Sequence, residues 1–190
     1  MSESPISANM DTSLSLVSKE TEASFSFENQ EDLQTHIINS VILNLKELID
    51  ENKLQGRNKY AKRDFFYLPK IPSISLNEYV HRLVKLTKME ISSLILSIIY
   101  IDRFCDRFNY ILNMYNIYKI ILVTCLISIK YNEDNYFDTQ KYSEIAGISV
   151  SELNKLEEKM FVLLDFNLYV ESDFYQQYYD FFSKYHKNKK

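Results

Sequence analysis

The stretch that decides the fold is residues 90–134, EISSLILSIIYIDRFCDRFNYILNMYNIYKIILVTCLISIKYNED. From Ile91 to Ile101 its only polar side chains are Ser92, Ser93, Ser97 and the hydroxyl of Tyr100. From Ile120 to Ile129 only Thr124, Cys125 and Ser128 interrupt the aliphatics, and neither run contains Gly or Pro. Apolar residues recur at 91, 94, 95, 98 and 101, and at 117, 120, 121 and 127, with others filling the remaining faces. Helical spacing with apolar residues nearly all round marks a helix enclosed by its neighbours. A strand fits badly, because each run is too long and does not alternate. Two central helices wrapped by the remaining segments are therefore expected.

The rest of the composition agrees. Sheets joined by tight turns draw on glycine, and the 190 residues hold 2 Gly and 3 Pro. The expected fold class is all-α, with one domain and a tail. A net charge of −4 argues against a general nucleic-acid binder. Cys105 and Cys125 lie in apolar helices and read as small buried hydrophobes in a reducing compartment. No basic start leads into an apolar signal segment. The longest apolar runs hold about a dozen residues against the roughly 20 of a membrane span. A soluble intracellular protein, in nucleus or cytoplasm, is expected.

Outward from the centre, residues 1–28 are rich in Ser, Thr and Glu and are expected to be disordered. Ser4-Pro5 there reads as an ordinary Ser-Pro pair, with a proline-directed phosphorylation site as the alternative. Residues 30–52 form an amphipathic helix with a stripe of Leu33, Ile37, Val41, Leu45 and Leu48. A basic run follows over 53–63, broken by Gly56. It reads as a solvated linker, or else as a docking patch for an acidic partner or phosphate. Phe65-Phe66-Tyr67-Leu68 should tuck against the core before Pro69 and Pro72 enforce an extended path. Ser75-Leu-Asn-Glu78 is a capping box opening a helix with the stripe Leu76, Tyr79, Val80, Leu83 and Leu86. Thr87-Lys-Met-Glu90 and Ser149-Val-Ser-Glu152 read as two more, opening the first central helix and a helix over 149–165. Asn113 or Asn116 would cap the second central helix, over 115–134. A short helix is expected from Asp138 to Ala146, with Gly147 just past its end. The stripe of the 149–165 helix is Leu153, Leu156, Met160, Leu163 and Leu164. A last helix over 172–186 would bury Phe174, Tyr178, Phe181, Phe182 and Tyr185, ahead of a basic tail.

Catalytic patterns are missing. Two glycines supply no phosphate-cradling loop, and no Cys-x-x-Cys or paired His at ligand spacing occurs. No nucleophile, base and orienter assemble from sequence. An enzyme is not expected, nor a cofactor, a metal or a small-molecule substrate. Each His is expected at a helix surface or rim. Two charges stand out. Lys130 ends an aliphatic run, and Glu157 sits beside the stripe of the 149–165 helix. Both suit long side chains snorkelling at the rim of an apolar face, with Lys130 also favoured by a helix C-terminus. Alternatively both anchor a partner at the edge of an exposed groove through charge-assisted hydrogen bonds.

The order Tyr100-Ile-Asp-Arg-Phe104, Ile129-Lys130-Tyr131, Leu156-Glu157, Leu163-Leu-Asp-Phe166 resembles a cyclin box. The closer resemblance is to the single-box P/U-type cyclins, related to the yeast phosphate-regulation cyclin. Pro72-Ser-Ile-Ser-Leu-Asn-Glu-Tyr79 is similar to their opening. Tyr136-Phe-Asp-Thr-Gln-Lys-Tyr142, Ala146-Gly-Ile-Ser149 and Glu152-Leu-Asn-Lys-Leu-Glu157 are similar to their stretch between the last box helices. The resemblance covers residues 31–182 and implies a five-helix cyclin box over 30–183, with an extra N-terminal and a C-terminal helix, flanked by tails at 1–28 and 184–190. It leaves no room for a second box. It implies a regulatory subunit that binds and activates or targets a cyclin-dependent kinase, through a groove between the 115–134 and 149–165 helices. In the family Lys130 and Glu157 match the charged pair that hydrogen-bonds the kinase backbone, and Asp102 matches a structural aspartate. Mitotic-type cyclins carry Met-Arg-Ala-Ile-Leu where this chain has Pro72-Ser-Ile-Ser-Leu76, so the arginine that pairs with that aspartate is missing. Asp102 then needs another donor, with Arg82 and Arg103 as candidates. The alternative function is a cyclin-like adaptor that binds protein or nucleic acid without a kinase.

Overall fold

The two apolar runs become helices shielded on every side. In the computed structural model, which describes residues 30–56 and 65–185, they are Ile91–Phe108 and Ile117–Asn132. Leu94, Ile95, Ile98, Ile99 and Ile101 of the first are fully buried, as are Ile117, Ile120, Ile121, Val123 and Ile127 of the second. Three of their polar side chains are satisfied locally. Ser97 donates to Leu94 O at 2.6 Å, Thr124 to Ile120 O at 2.9 Å and Ser128 to Cys125 O at 2.8 Å. Bonding back to the preceding turn lets hydroxyls sit in a core without loss.

Around this pair, the described chain forms seven helices and no strand: α1 (Gln30–Leu54), α2 (Leu76–Thr87), α3 (Ile91–Phe108), α4 (Ile117–Asn132), α5 (Thr139–Ala146), α6 (Val150–Leu163) and α7 (Ser172–Lys184). The all-α expectation holds. Helices α3 and α4 pack most extensively on each other; α6 packs on α4, while α7 lies against α1 and α3. Helix α2 touches α1, α4 and α5. One core of buried residues runs from Ile37 on α1 to Phe182 on α7. The 1–28 tail with Ser4-Pro5, the basic residues Arg57, Lys59, Lys62 and Arg63, His186 and the tail Lys187–Lys190 lie outside the described residues.

Local signals explain most helix ends. Ser75 accepts from Glu78 N–H at 3.2 Å while Glu78 accepts from Ser75 N–H at 3.0 Å, the full capping box. Those bonds hold the Glu78 carboxyl below its usual range. Asp138 caps α5 through Lys141 N–H at 2.8 Å, and Gly147 ends it at φ 72.

The other two expected boxes differ. Thr87 is the last residue of α2, and its hydroxyl donates back to Leu83 O at 2.7 Å. The chain turns through Lys88 at φ 57, and Glu90 takes the N-cap position of α3 without a side-chain cap bond. Its backbone N–H donates to Glu133 at 3.0 Å, so the end of α4 serves the start of α3. Ser149 does cap α6, accepting from Glu152 N–H at 3.1 Å. The Glu152 carboxylate, however, pairs with Lys119 of α4 at 2.9 Å. Asn116 holds the N-cap position of α4 but caps through neither side chain nor box; its Oδ1 accepts from Asn113 N–H at 2.9 Å. Some residues expected in the core stand partly out, Leu33, Tyr67, Leu68 and Tyr185 among them. Phe174 lies in the first turn of α7 and Leu86 in the last turn of α2, and both are exposed. Phe65 is exposed and Leu163 half-buried, while Phe66 next door is buried against Phe104.

Candidate partner-binding site

Lys130 and Glu157, 27 residues apart, meet across the seam between α4 and α6. Lys130 Nζ donates to Glu157 Oε1 at 2.7 Å and to Oε2 at 2.9 Å. Lys130 occupies the last turn of α4, where the helix dipole favours a cation. Glu157 is placed by its neighbours. Leu153, Leu156 and Met160 are fully buried, and they fix the roll of α6 so that the next residue round emerges at the seam. The side chains keep 25% and 14% of their surface in solvent, so the pair is sheltered but reachable. Helices α4 and α6 pack on each other, and the pair links them across their seam.

The pair retains bonding capacity. An ammonium has three donors, and two are used on Glu157. A carboxylate offers about four lone-pair sites. The same spot can therefore donate to one further acceptor and accept from about two further donors. A peptide backbone carries one of each.

Exposed aromatics surround the end of this seam. Tyr131 follows Lys130 and is half in solvent, and Tyr169 lies near it. Phe166 is 70% exposed and stacks on Phe161 of α6 at 6.2 Å between ring centres. Asp165 and Phe166 take φ of 58 and 55, the left-handed region that an aromatic residue rarely adopts. The turn is held by Phe166 N–H to Phe161 O at 2.9 Å and Asn167 N–H to Leu164 O at 3.1 Å. The buried Tyr100 hydroxyl then donates to Leu168 O at 2.9 Å, tying the loop to α3.

Asp102 lies elsewhere, 4% exposed in the core of α3. It accepts from the hydroxyl of Tyr178 on α7. Burial first, and the Asp102 charge second, push the Tyr178 phenol far up, so it remains a donor. This donor was not among the arginines the sequence suggested. Arg103 Nη1 donates to Asn167 O at 3.3 Å. Of the histidines, His36 and His81 are half-buried on helix surfaces, where His81 meets Asn39 at 3.1 Å. No described helix is long and apolar enough to cross a membrane.

A family model for cyclins matches residues 8–168. The chain belongs to the cyclin family, and so to a class of regulatory rather than catalytic proteins. Within it, the likeness is to the P/U types. Cyclin-U2-2 of Arabidopsis thaliana is 26% identical over 162 residues, covering 81% of this chain and 70% of that protein. Cyclin-P3-1 of Oryza sativa subsp. japonica is 25% identical over 133 residues, covering 70% and 54%. The PHO85 cyclin-like protein psl1 of Schizosaccharomyces pombe is 30% identical over 117 residues, covering 60% and 48%. The resemblance drawn from the sequence motifs is thus the family itself, matched over residues 8–168.

Proposed function

We propose that this cyclin binds a cyclin-dependent protein kinase on the face where α4 meets α6, with Lys130 and Glu157 as the anchors. The observation that carries the reading is the pair itself, preformed, half-sheltered and with donor and acceptor capacity to spare. Segment ends of a kinase helix expose backbone carbonyls and N–H groups, which Lys130 and Glu157 respectively suit. Phe161, Phe166, Tyr131 and Tyr169 supply apolar area beside these anchors. Anchored charges fix register, and aromatics add the energy. Binding would favour the kinase conformation whose helix fits this face, which is how a subunit without chemistry raises activity. Residues 30–183 would form the binding domain, with 1–28 and 184–190 as flanking tails, and the complex would work inside the cell, in nucleus or cytoplasm.

Two measurements test this. A tagged chain recovered from its source cells should bring down a protein kinase, identified by mass spectrometry. Replacing both anchors (Lys130→Ala with Glu157→Ala) should then weaken binding to that kinase by more than about 2 kcal/mol, or roughly 30-fold. An unchanged dissociation constant in calorimetry would remove the site assignment.

A further inference from the structure

Arg103 and Arg107 stand one helical turn apart on α3 and line one cleft of about 140 Å³, closed opposite by Leu163, Leu164, Asp165 and Asn167. That is roughly ten times the space that admits a single water. A shallower cleft of about 290 Å³ follows on the next face of α6, lined by Phe65, Lys155, Glu158, Lys159 and Val162. Val162 and Leu163 are consecutive, so the clefts neighbour each other at the end of α6. Their walls carry four cations and two carboxylates, in a chain whose net charge is −4.

The guanidiniums of the first cleft are poorly matched by what faces them. Arg107 Nη2 reaches Asp165 Oδ2 only at 3.4 Å, with 49% and 71% of the two side chains exposed. A contact that long and wet contributes little. Arg103 meets the neutral carbonyl of Asn167 at 3.3 Å. Each guanidinium has five N–H donors in a rigid fork. Asp165, held at φ 58 by the end of α6, is placed to meet one fork and not both.

We propose that Arg103 and Arg107 form a binding site for a phosphate monoester, with Asp165 as the resident carboxylate that the ligand displaces. A tetrahedral group with three oxygens engages two forks at once, which one carboxylate at the cleft wall does not. The C-terminal ends of α3 and α6 both lie here, and their dipoles favour the arginines while opposing the anion. Affinity must therefore come from the guanidiniums, and losing both must abolish it. The phosphate could be free or borne by a phosphorylated side chain. Phe65 and Val162, set among Lys155 and Lys159, offer an apolar floor and further cations to residues flanking a phosphoserine or phosphothreonine, which favours the protein-borne source. Asp165 and Asn167 flank Phe166, so the site borders the α4–α6 face, and its test is made on the chain alone. It does not rest on the kinase reading.

The test uses the full ¹⁵N-labelled chain and the arginine Nε–Hε resonances in nuclear magnetic resonance. It is titrated with inorganic phosphate, with a phosphoserine peptide carrying a flanking leucine, and with the same peptide unphosphorylated. Arg103 and Arg107 should shift saturably with the phosphorylated probe and Arg82 should not. Arg103→Gln with Arg107→Gln should remove binding. Asp165→Asn, which suits the left-handed backbone, should tighten it by at least about threefold, because the competing charge is gone. Peptide binding about tenfold tighter than inorganic phosphate identifies a protein-borne ligand, and the reverse a free one. Shifts that do not saturate at millimolar probe, equal shifts at Arg82, or weaker binding by Asp165→Asn would each overturn the proposal.

Discussion

Tyr178→Phe removes one oxygen from the core and leaves the rest of the ring in place, 5.2 Å between centres from Phe174. Its hydroxyl donates to Asp102, and both residues are buried, at 1% and 4% exposed. The bond joins α7 to the central helix α3 across 76 residues of chain. A hydrogen bond to a charged acceptor is worth about 1.5–3 kcal/mol net, and the carboxylate left behind stays in the core without this donor. The expected loss is about 2 kcal/mol, or roughly 4–8 °C in melting temperature for a chain of this size. Urea unfolding followed by circular dichroism measures it, with Tyr136→Phe, an exposed tyrosine, as the control expected within about 0.5 kcal/mol of the parent. On an Asp102→Leu background there is no acceptor, and the cost of Tyr178→Phe should fall below about 0.5 kcal/mol. Equal losses on both backgrounds would show that the hydroxyl acts through something other than Asp102.

Two further expectations follow from the core. Burial raises the phenols of Tyr79, Tyr100, Tyr178 and Tyr185, and pushes the Cys125 thiol up to about 12. The folded chain then holds protons that the unfolded chain releases from about pH 8.5 for thiols and about pH 10 for phenols. Folded binds more protons than unfolded, so stability is full below this window and falls as pH rises through it. Urea midpoints should be flat from neutral to about pH 8 and decline beyond it, whereas a rise there would contradict the burial of these groups. Leu156→Ala empties a fully buried site under Glu157 and should cost about 2–5 kcal/mol in the same melts.

What the sequence disclosed was what neighbours along the chain decide. Runs apolar on every face had to be interior, and α3 and α4 are. Ser75 and Ser149 hold caps, and Gly147 takes the left-handed turn, because each bond closes within three or four residues; Asp138, read as the first residue of its helix, proves to be its cap. The failures are choices made by distant partners. Glu152 had a capping role open to it three residues away and is drawn to Lys119 on another helix. Thr87 fits a cap pattern equally well at the end of one helix or the start of the next, and its bond to Leu83 O settles it. Asp102 found a tyrosine, which no arginine search would reach. The site divides in the same way. Lys130 and Glu157 were conspicuous as charges against apolar surroundings, but their direct contact was not. Phe166 was visible only as part of a motif, since a left-handed φ at an aromatic residue has no signature in composition.

The most direct measurement exchanges the anchors. Lys130→Glu with Glu157→Lys keeps an ion pair across the α4–α6 seam while reversing which helix offers donors and which acceptors. The exchange sets a carboxylate against the dipole at the end of α4, a cost of about 0.3–1 kcal/mol, and if the pair serves only the fold nothing else should change. If it reads the backbone of a kinase, melting should stay close to the parent while the dissociation constant for the co-purifying kinase rises by at least about 30-fold in calorimetry. A folded exchange variant that binds that kinase within about twofold of the parent would contradict the central claim.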